Sequence, residues 1–272
     1  MITYSDLCVD AELLKEIRYS IYHSKGNGYY ICKNFIPRDY VVHMQKLWTN
    51  LEPYRYYKKY LGKDQFVAGC KNLASVDQEK NTTFHNFFWN PPIDELTHSV
   101  SMAIHMLRNS IEGNIPYREL LPFASRATNY RVVITKNHSA PVPPHKDLPP
   151  AMLKDHAGLL MCTLFLSKKG LDYKGEGFAF VTNQGKRLVF DEDECIEPGD
   201  LLIWSHQNEH SVMNIHSEPS QIGFVRMLFP REIIRKKKYF DKIKVANYKK
   251  MLGESYIGEN LLLPIYRALR GR

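Results

Sequence analysis

Apolar residues in the first 127 positions recur mostly at helical spacing. Leu13, Leu14, Ile17 and Ile21 lie three and four residues apart, which predicts a helix with Asp10 as its N-cap. The same spacing predicts helices over about 37–48 and 93–111, and a short strand is expected at 29–35. We therefore expect this part of the chain to be mainly helical.

The pattern changes near residue 128 to short β-rich runs that glycines and prolines separate. Eight runs are present, at 129–135, near 144–149, and at 158–167, 177–182, 186–190, 200–204, 210–215 and 221–229. Eight short strands at this spacing predict a double-stranded β-helix, or jelly-roll, in which two sheets face each other.

Together these patterns predict an α+β fold in a single domain of 1–272. The jelly-roll core would span 128–230, and the helices of 1–127 would pack on the outer face of one sheet. A basic helical tail would follow over 231–272.

Composition narrows the class of protein. The 44% hydrophobic content is typical of a globular chain, and no apolar run approaches the 18 residues that a membrane span needs. The five cysteines are widely spaced and form no Cys-x-x-Cys pair, which favours reduced thiols over disulfides or zinc. Because the N-terminus also lacks a signal-peptide pattern, we expect a cytoplasmic protein without membrane contact. Oligomeric state is not indicated.

The net charge of +8 is concentrated near the C-terminus, where 231–250 holds nine basic and two acidic residues. Such a segment can attract polyanions. No nucleic-acid-binding motif accompanies it, so a solvated helix face is the simpler interpretation. Nucleic acid stays the less favoured partner, behind a small-molecule substrate.

Candidate chemistry begins with His145-Lys146-Asp147, because alternate side chains of an extended strand point to one face. His145 and Asp147 could then reach one ion, with prolines on both sides indicating an edge strand or loop rim. His210, which opens the strand after Leu201-Leu202-Ile203-Trp204, would supply the third ligand. Two imidazoles and one carboxylate on one face of an octahedral metal leave three positions open, as in non-heme iron(II) oxygenases.

Two other histidines compete for the third position. His206 falls in the connection before His210, and His216 falls in the turn before Pro219. Neither place fixes a side chain as firmly as the first residue of a strand does, so His210 is preferred.

The segment from Asn129 to Phe229 resembles the catalytic core of the iron(II)/2-oxoglutarate-dependent dioxygenases. The resemblance rests on His145-x-Asp147 and on Pro198-Gly199-Asp200-Leu201-Leu202-Ile203-Trp204 followed by His210. It implies that His145, Asp147 and His210 bind iron(II), and that 2-oxoglutarate and O2 are cosubstrates. Asp147 fills the position that halogenating relatives leave open, so hydroxylation, desaturation or ring closure is favoured.

The resemblance also implies a basic residue that binds the remote carboxylate of 2-oxoglutarate. Arg226 is the candidate, since it is the one charge in an apolar strand and a guanidinium fits a carboxylate bidentately. The alternatives are a structural ion pair at Arg226, or an anchor at Arg231 beyond Pro230. Tyr130 and Thr163 are candidates for hydroxyl donors to the same carboxylate.

Other classes of function stay open. The enzyme could act on nucleic acid or protein, or the chain could be a non-catalytic jelly-roll binding module. A cupin-type metalloenzyme is less favoured, because no His-x-His occurs near residue 145. Substrate choice is expected from loops around the cavity mouth, at 54–90, 149–157 and 168–176. Candidate residues to line the mouth are His85, Phe87, Trp89, His138 and Lys154.

Overall fold

A computed structural model of the chain describes residues 11–62, 65–77, 81–120, 126–136, 142–147 and 160–233. Five helices lie in these ranges, of which three are long enough to pack as layers. They are α1 (Ala11–Tyr22), α2 (Arg38–Asn50), α3 (Pro53–Tyr56), α4 (Glu95–Ile111) and α5 (Phe190–Asp193). None of the helices in the described part of the chain has the length and apolarity that crossing a bilayer requires.

Thirteen strands accompany the helices. They are β1 (Tyr29–Cys32), β2 (Lys58–Lys59), β3 (Leu73–Asp77), β4 (Asn81–Phe87), β5 (Arg126–Thr135), β6 (Val142–His145), β7 (Leu160–Phe165), β8 (Gly177–Val181), β9 (Arg187–Val189), β10 (Leu201–Ser205), β11 (His210–Met213), β12 (Phe224–Leu228) and β13 (Arg231–Ile233).

These strands form two sheets. The large sheet has the order β1-β10-β7-β12-β5-β4-β3-β2, with β13 also paired to β5, and the small sheet has the order β6-β11-β8-β9. From β5 to β12 the chain alternates between the sheets, except that β8 and β9 are successive strands of the small one. This winding is the double-stranded β-helix, so the predicted jelly-roll core is confirmed.

The large sheet is buried on both faces, as the continuous apolar run of β10 illustrates. Leu201 and Ile203 join the core against α1, α2 and α4. Leu202 and Trp204 join a second core that faces the small sheet. Because successive strand residues point to opposite faces, this run serves two cores at once. We call the face toward the small sheet the inner face.

The turn before β10 fixes where that strand begins. Gly199 has a φ of +104°, and a Cβ there would lie 2.8 Å from the Ile36 carbonyl oxygen. The buried Asp200 carboxylate accepts hydrogen bonds from the backbone N–H groups of Asn34 and Glu197, at 2.8 and 2.9 Å. The Pro-Gly-Asp turn is thus held against the chain beside β1, and β10 runs from it toward His210.

The expectation that 1–127 is mainly helical is wrong in part. The predicted helices exist as α1, α2 and α4, but β1 to β4 also lie in this region and extend the large sheet at both edges. The stretch 54–90 had no readable period because short strands with mixed burial alternate there with turns. The helical region therefore shares its sheet with the core.

The expected helical tail begins instead with a strand. β13 pairs antiparallel with β5, placing Glu232 opposite Ala127. The rest of the basic segment, from 234 onward, lies outside the described residues. So do His138, Lys154 and the loop 149–157.

Candidate metal centre

Three predicted ligands converge in the structure. One donor atom each of His145, Asp147 and His210 lies within 4.8 Å of the other two. Oδ1 of Asp147 is 3.6 Å from Nε2 of His145, and Oδ2 is 3.6 Å from Nε2 of His210. Among the described residues this is the one group of three or more histidine, cysteine or acidic side chains close enough to share an ion.

Strand pairing produces this convergence. β6 and β11 are antiparallel neighbours, and His210 is the register partner of His145. Their ring centroids are 4.3 Å apart. Asp147 lies two residues beyond the end of β6, so its carboxylate approaches the two imidazoles from the rim and not from a strand. β6 is an edge strand, as its prolines predicted, because Pro has no backbone N–H to donate to a neighbouring strand.

Both imidazoles hold the tautomer that metal binding needs. Nδ1 of His145 is 2.8 Å from the Pro143 carbonyl oxygen, and Nδ1 of His210 is 3.1 Å from the Asn208 carbonyl oxygen. A carbonyl can only accept, so each Nδ1 must carry the proton. In the neutral form of each ring the lone pair is then on Nε2, the nitrogen that faces Asp147.

The centre is closed on one side and open on the other. The His210 side chain is 8% exposed, whereas those of His145 and Asp147 are 38% and 42% exposed. Burial lowers the pKa of His210, although the Asn208 carbonyl and Asp147 act in the opposite direction. A neutral imidazole is the form that binds a metal.

Aromatic packing holds the buried histidine. The Trp204 ring meets His210 edge-on at 4.4 Å between centroids, and Phe178 lies 6.0 Å away. The connection before His210 is fixed as well, because the Asn208 side chain donates to the Val181 carbonyl at 2.9 Å and to the Asn183 side chain. The sequence signal for Trp204 was its place in an apolar strand six residues before His210.

The competing histidines are not part of this group. His206 is buried in the turn between β10 and β11, and His216 pairs through its backbone with Lys174 between β11 and β12. Neither joins the cluster of potential metal ligands. The preference for His210 rests on its register opposite His145.

Arg226 lies on the inner face of β12 and is 7% exposed. Its Nη1 is buried without a hydrogen-bond partner, and it forms no ion pair within the described ranges. The guanidinium lies 4.6 Å from the centre of the Phe224 ring. Burial lowers its pKa to about 10, so it stays cationic at neutral pH. A buried, unpaired cation is costly unless an anion joins it.

Arg231, the alternative anchor, is saturated by protein groups. Its Nε donates to Glu119 at 2.7 Å and its Nη1 to Glu112 at 2.8 Å, on the helix side of the sheet. Both carboxylates raise its pKa, against the effect of burial. The structural ion pair considered for Arg226 is therefore found at Arg231 instead.

The structure separates the two hydroxyl candidates. Thr163 is on the inner face of β7, where its Oγ1 accepts a hydrogen bond from the Trp204 indole at 3.2 Å. Tyr130 points the other way, into the helix-side core, where its ring packs on Phe88 and His98. The structure therefore does not bring Tyr130 to the side of the sheet that carries Arg226.

One further cation lies near the centre. Arg131 is on the inner face of β5, two residues from Asn129. Burial lowers its pKa to about 10, and the charge of Asp147 acts in the opposite direction. Arg131 pairs with Glu232 of β13. The sequence signal was weaker than for Arg226, because β5 also contains Arg126, Thr128 and Asn129.

No protein-family model and no curated protein sequence matches this chain. Distant likenesses are found among solved structures. The non-heme alpha ketoglutarate dependent epimerase SnoN from nogalamycin biosynthesis is 13% identical over 82% of this chain and 83% of its own, with a TM-score of 0.48. The carbocyclase SnoK from the same biosynthesis is 10% identical over 89% and 93%, with a TM-score of 0.49. A Pseudomonas putida prolyl-4-hydroxylase is 15% identical over 82% and 100%, with a TM-score of 0.45.

Proposed function

We propose that this protein is an iron(II)/2-oxoglutarate-dependent dioxygenase that oxidises a C–H bond of a small molecule. The observation that carries the proposal is the convergence of His145, Asp147 and His210 inside a jelly-roll, with both Nε2 atoms facing the carboxylate. Two imidazoles and one carboxylate on one face suit non-heme iron(II) and leave room for further ligands.

The residues fit iron(II) in their chemistry and in their surroundings. The Nδ1–H of each histidine donates a hydrogen bond to a backbone carbonyl oxygen, an interaction that orients metal-binding imidazoles. When bound, the iron would activate O2 with electrons from 2-oxoglutarate, which is converted to succinate and CO2. The protein would hold the ion through three side chains and leave its exposed side to the other reactants.

Arg226 is the proposed anchor for the remote carboxylate of 2-oxoglutarate. Its Nη1 is buried and unpartnered, whereas Arg231 already has two carboxylates. Thr163 is the proposed second donor, because its hydroxyl oxygen accepts from Trp204 and its own hydrogen stays available. A bound carboxylate would offset the cost of burying the Arg226 charge.

Asp147 bears on the type of reaction. Its carboxylate is placed to be the third protein ligand of the metal, so the coordination position that a halide would take is filled. Hydroxylation, desaturation or ring closure is therefore the proposed outcome. The substrate is proposed to be a small molecule, such as an amino acid or a specialised metabolite.

The test is anaerobic reconstitution with iron(II), followed by addition of 2-oxoglutarate and air and measurement of succinate. We expect the wild type to form succinate slowly without substrate and faster with a compound that binds. Asp147→Ala should form none. His216→Ala is the matched control, since it removes a histidine outside the centre and should retain the wild-type rate. Succinate formation by Asp147→Ala, or failure of the wild type to bind iron(II), would refute the proposal.

A further inference from the structure

A second group of buried polar side chains lies on the inner face, at the end of β5 away from Arg226. Asn129 and Arg131 belong to it, with His85 on the neighbouring β4 opposite Arg131 and Glu232 on β13. Arg226 is opposite Val133, four residues from Asn129. At about 3.3 Å per strand residue the two ends are about 13 Å apart, too far for one small carboxylate to reach both.

Asn129 is the residue in this group with the clearest need for a ligand. It is fully buried, and neither Nδ2 nor Oδ1 has a hydrogen-bond partner. Its inner-face neighbours Ala127 on β5 and Phe87 on β4 are buried and apolar, so neither side chain can offer it a hydrogen-bond partner. Each unsatisfied buried group costs about 1–3 kcal/mol. A side-chain amide with an unpaired N–H donor and an unpaired oxygen is complementary to a ligand group that both accepts and donates hydrogen bonds.

The other polar members make the group neutral overall. Arg131 and Glu232 form an ion pair, so their charges cancel. Burial, with Arg131 next, lowers the pKa of His85 to about 3, which leaves that imidazole uncharged at neutral pH. Nδ1 of His85 and Nε of Arg131 are buried without a hydrogen-bond partner. Unpaired donors and acceptors are present here, but no unpaired charge.

An aromatic wall borders these polar groups. Phe87 stacks on Trp89 at 4.5 Å between centroids, and Phe66 packs on both Phe87 and His85 at 5.8 and 5.6 Å. Tyr60 stacks on Phe66 at 5.5 Å. The wall belongs to the stretch 54–90 and forms a third apolar core beside β5. It suits the apolar body of a ligand.

The centre and this group lie at the same level along the strands. The His210 ring packs on Trp204, and the Trp204 indole donates to Thr163. Thr163 of β7, Leu228 of β12 and Arg131 of β5 are register partners. A molecule held by Asn129 and the aromatic wall would therefore lie on the inner face, at the level of the centre. Arg226, at the opposite end of the inner face, is left for a different ligand.

We propose that Asn129, Arg131 and His85 form the substrate-recognition subsite, and that it selects an uncharged molecule carrying a carboxamide, lactam or similar donor–acceptor group on an apolar body. A carboxylate would leave Oδ1 of Asn129 without a donor and would face Glu232. A primary amine would lack an acceptor and would face Arg131. That the ligand of this subsite is the substrate of an oxygenase rests on the proposed function. The preference of the subsite for an uncharged amide does not.

The test uses the full-length, metal-free protein, so it is independent of iron chemistry. Binding of benzamide and of its near-isosteric counterpart benzoate is measured by calorimetry or ligand-observed NMR. The wild type should bind benzamide at least about tenfold more tightly than benzoate, since a site built to form hydrogen bonds rejects an analogue that cannot complete them. Asn129→Leu should lose that preference.

Two further measurements make the result decisive. Asn129→Leu should unfold at the same or a higher temperature than the wild type, because it removes an unsatisfied buried amide, so lost binding cannot be blamed on unfolding. Thr135→Val, on the same strand and face but at the Arg226 end, should bind benzamide normally. Equal or tighter binding of benzoate, no detectable benzamide binding, or unchanged binding by Asn129→Leu would overturn the proposal. Loss of iron binding or succinate formation would refute the proposed function and leave this result standing.

Discussion

His145 and His210 are register partners on adjacent antiparallel strands, and their ring centroids are 4.3 Å apart. His210 is in the interior of the small sheet, whereas His145 is at its edge. An ion bound by both would therefore link the edge strand β6 to the rest of that sheet. Metal binding should consequently raise the unfolding temperature of the protein as well as support its activity.

The first prediction is that a divalent metal raises the unfolding temperature. At a metal concentration of about 100 times the dissociation constant, binding to the native state contributes about 2.7 kcal/mol. For a chain of this size that corresponds to a rise of about 5–10 °C. Mn(II), which is stable in air, is a suitable probe in thermal denaturation. Asp147→Ala should abolish the rise and His216→Ala should preserve it; an equal rise in all three proteins would place the metal elsewhere.

The second prediction concerns two buried arginines with opposite surroundings. Arg231→Leu should destabilise the protein by about 3–5 kcal/mol, because it leaves Glu112 and Glu119 buried without their cation. Arg226→Leu should be neutral or stabilising in the absence of ligands, because it removes a buried charge that has no partner. Urea denaturation of the metal-free proteins measures both changes.

The comparison between these variants is its own control, since each replaces a buried arginine on a strand by the same apolar residue. A loss of several kcal/mol in Arg226→Leu would mean that its guanidinium has a protein partner. It would then serve the fold, and the cosubstrate anchor would have to lie elsewhere.

The third prediction concerns affinity for 2-oxoglutarate. Arg226→Leu should weaken binding by about 1.5–3 kcal/mol, the usual contribution of hydrogen bonds to a charged group. This is about 10- to 150-fold in the dissociation constant. Arg226→Lys should recover part of it, because an ammonium keeps the charge and loses the bidentate fork. Calorimetric titration of the Mn(II)-loaded proteins measures the constants, and wild-type affinity in Arg226→Leu would contradict the assignment.

Sequence periodicity and turn residues predicted the jelly-roll core of this fold. Strands β5 and β7 to β12 were expected as short apolar runs between turn residues. β6, which is mostly exposed, was expected from the His145-x-Asp147 pair between prolines. His145 and His210 lie on strands, as expected, whereas Asp147, which was also expected on a strand, lies two residues beyond the end of β6. The stretch 54–90 could not be assigned, since β2 is only two residues long and β3 and β4 change burial along their length.

The direction of a side chain was the other limit. Tyr130 and Thr163 looked equivalent in sequence, yet Tyr130 faces the helices and Thr163 faces the small sheet. A one-residue difference in strand phase decides this, and the phase is set by which neighbours pack on each face. Likewise, strand position favoured Arg226 over Arg231 as the anchor, but only the structure shows that Arg231 is paired. Its partners Glu112 and Glu119 are more than a hundred positions earlier in the chain.

The last prediction separates a carboxylate that stabilises the fold, Asp200, from the carboxylate of the metal centre, Asp147. The Asp200 side chain is 1% exposed and accepts from two backbone N–H groups and from Lys33 Nζ at 3.0 Å. Asp200→Ala should cost about 2–4 kcal/mol, because it removes three hydrogen bonds of a buried carboxylate, one of them to a cation. Asp172→Ala is the matched control: it also removes a carboxylate from a backbone N–H, that of Lys168, but at an exposed turn where water replaces it. Its cost should stay below about 1 kcal/mol.

Metal affinity should respond differently in these variants. Asp200 stabilises the start of β10, whereas the ligands are on β6, on β11 and just beyond β6. Folded Asp200→Ala should therefore bind Mn(II) with a dissociation constant within about threefold of the wild type, as expected for distant sites whose effects add independently. Asp147→Ala should show the reverse, with stability retained and binding lost. If Asp200→Ala weakened Mn(II) binding as strongly as Asp147→Ala does, the geometry of the centre would depend on the turn at Pro198-Gly199-Asp200 and not on the pairing of β6 with β11.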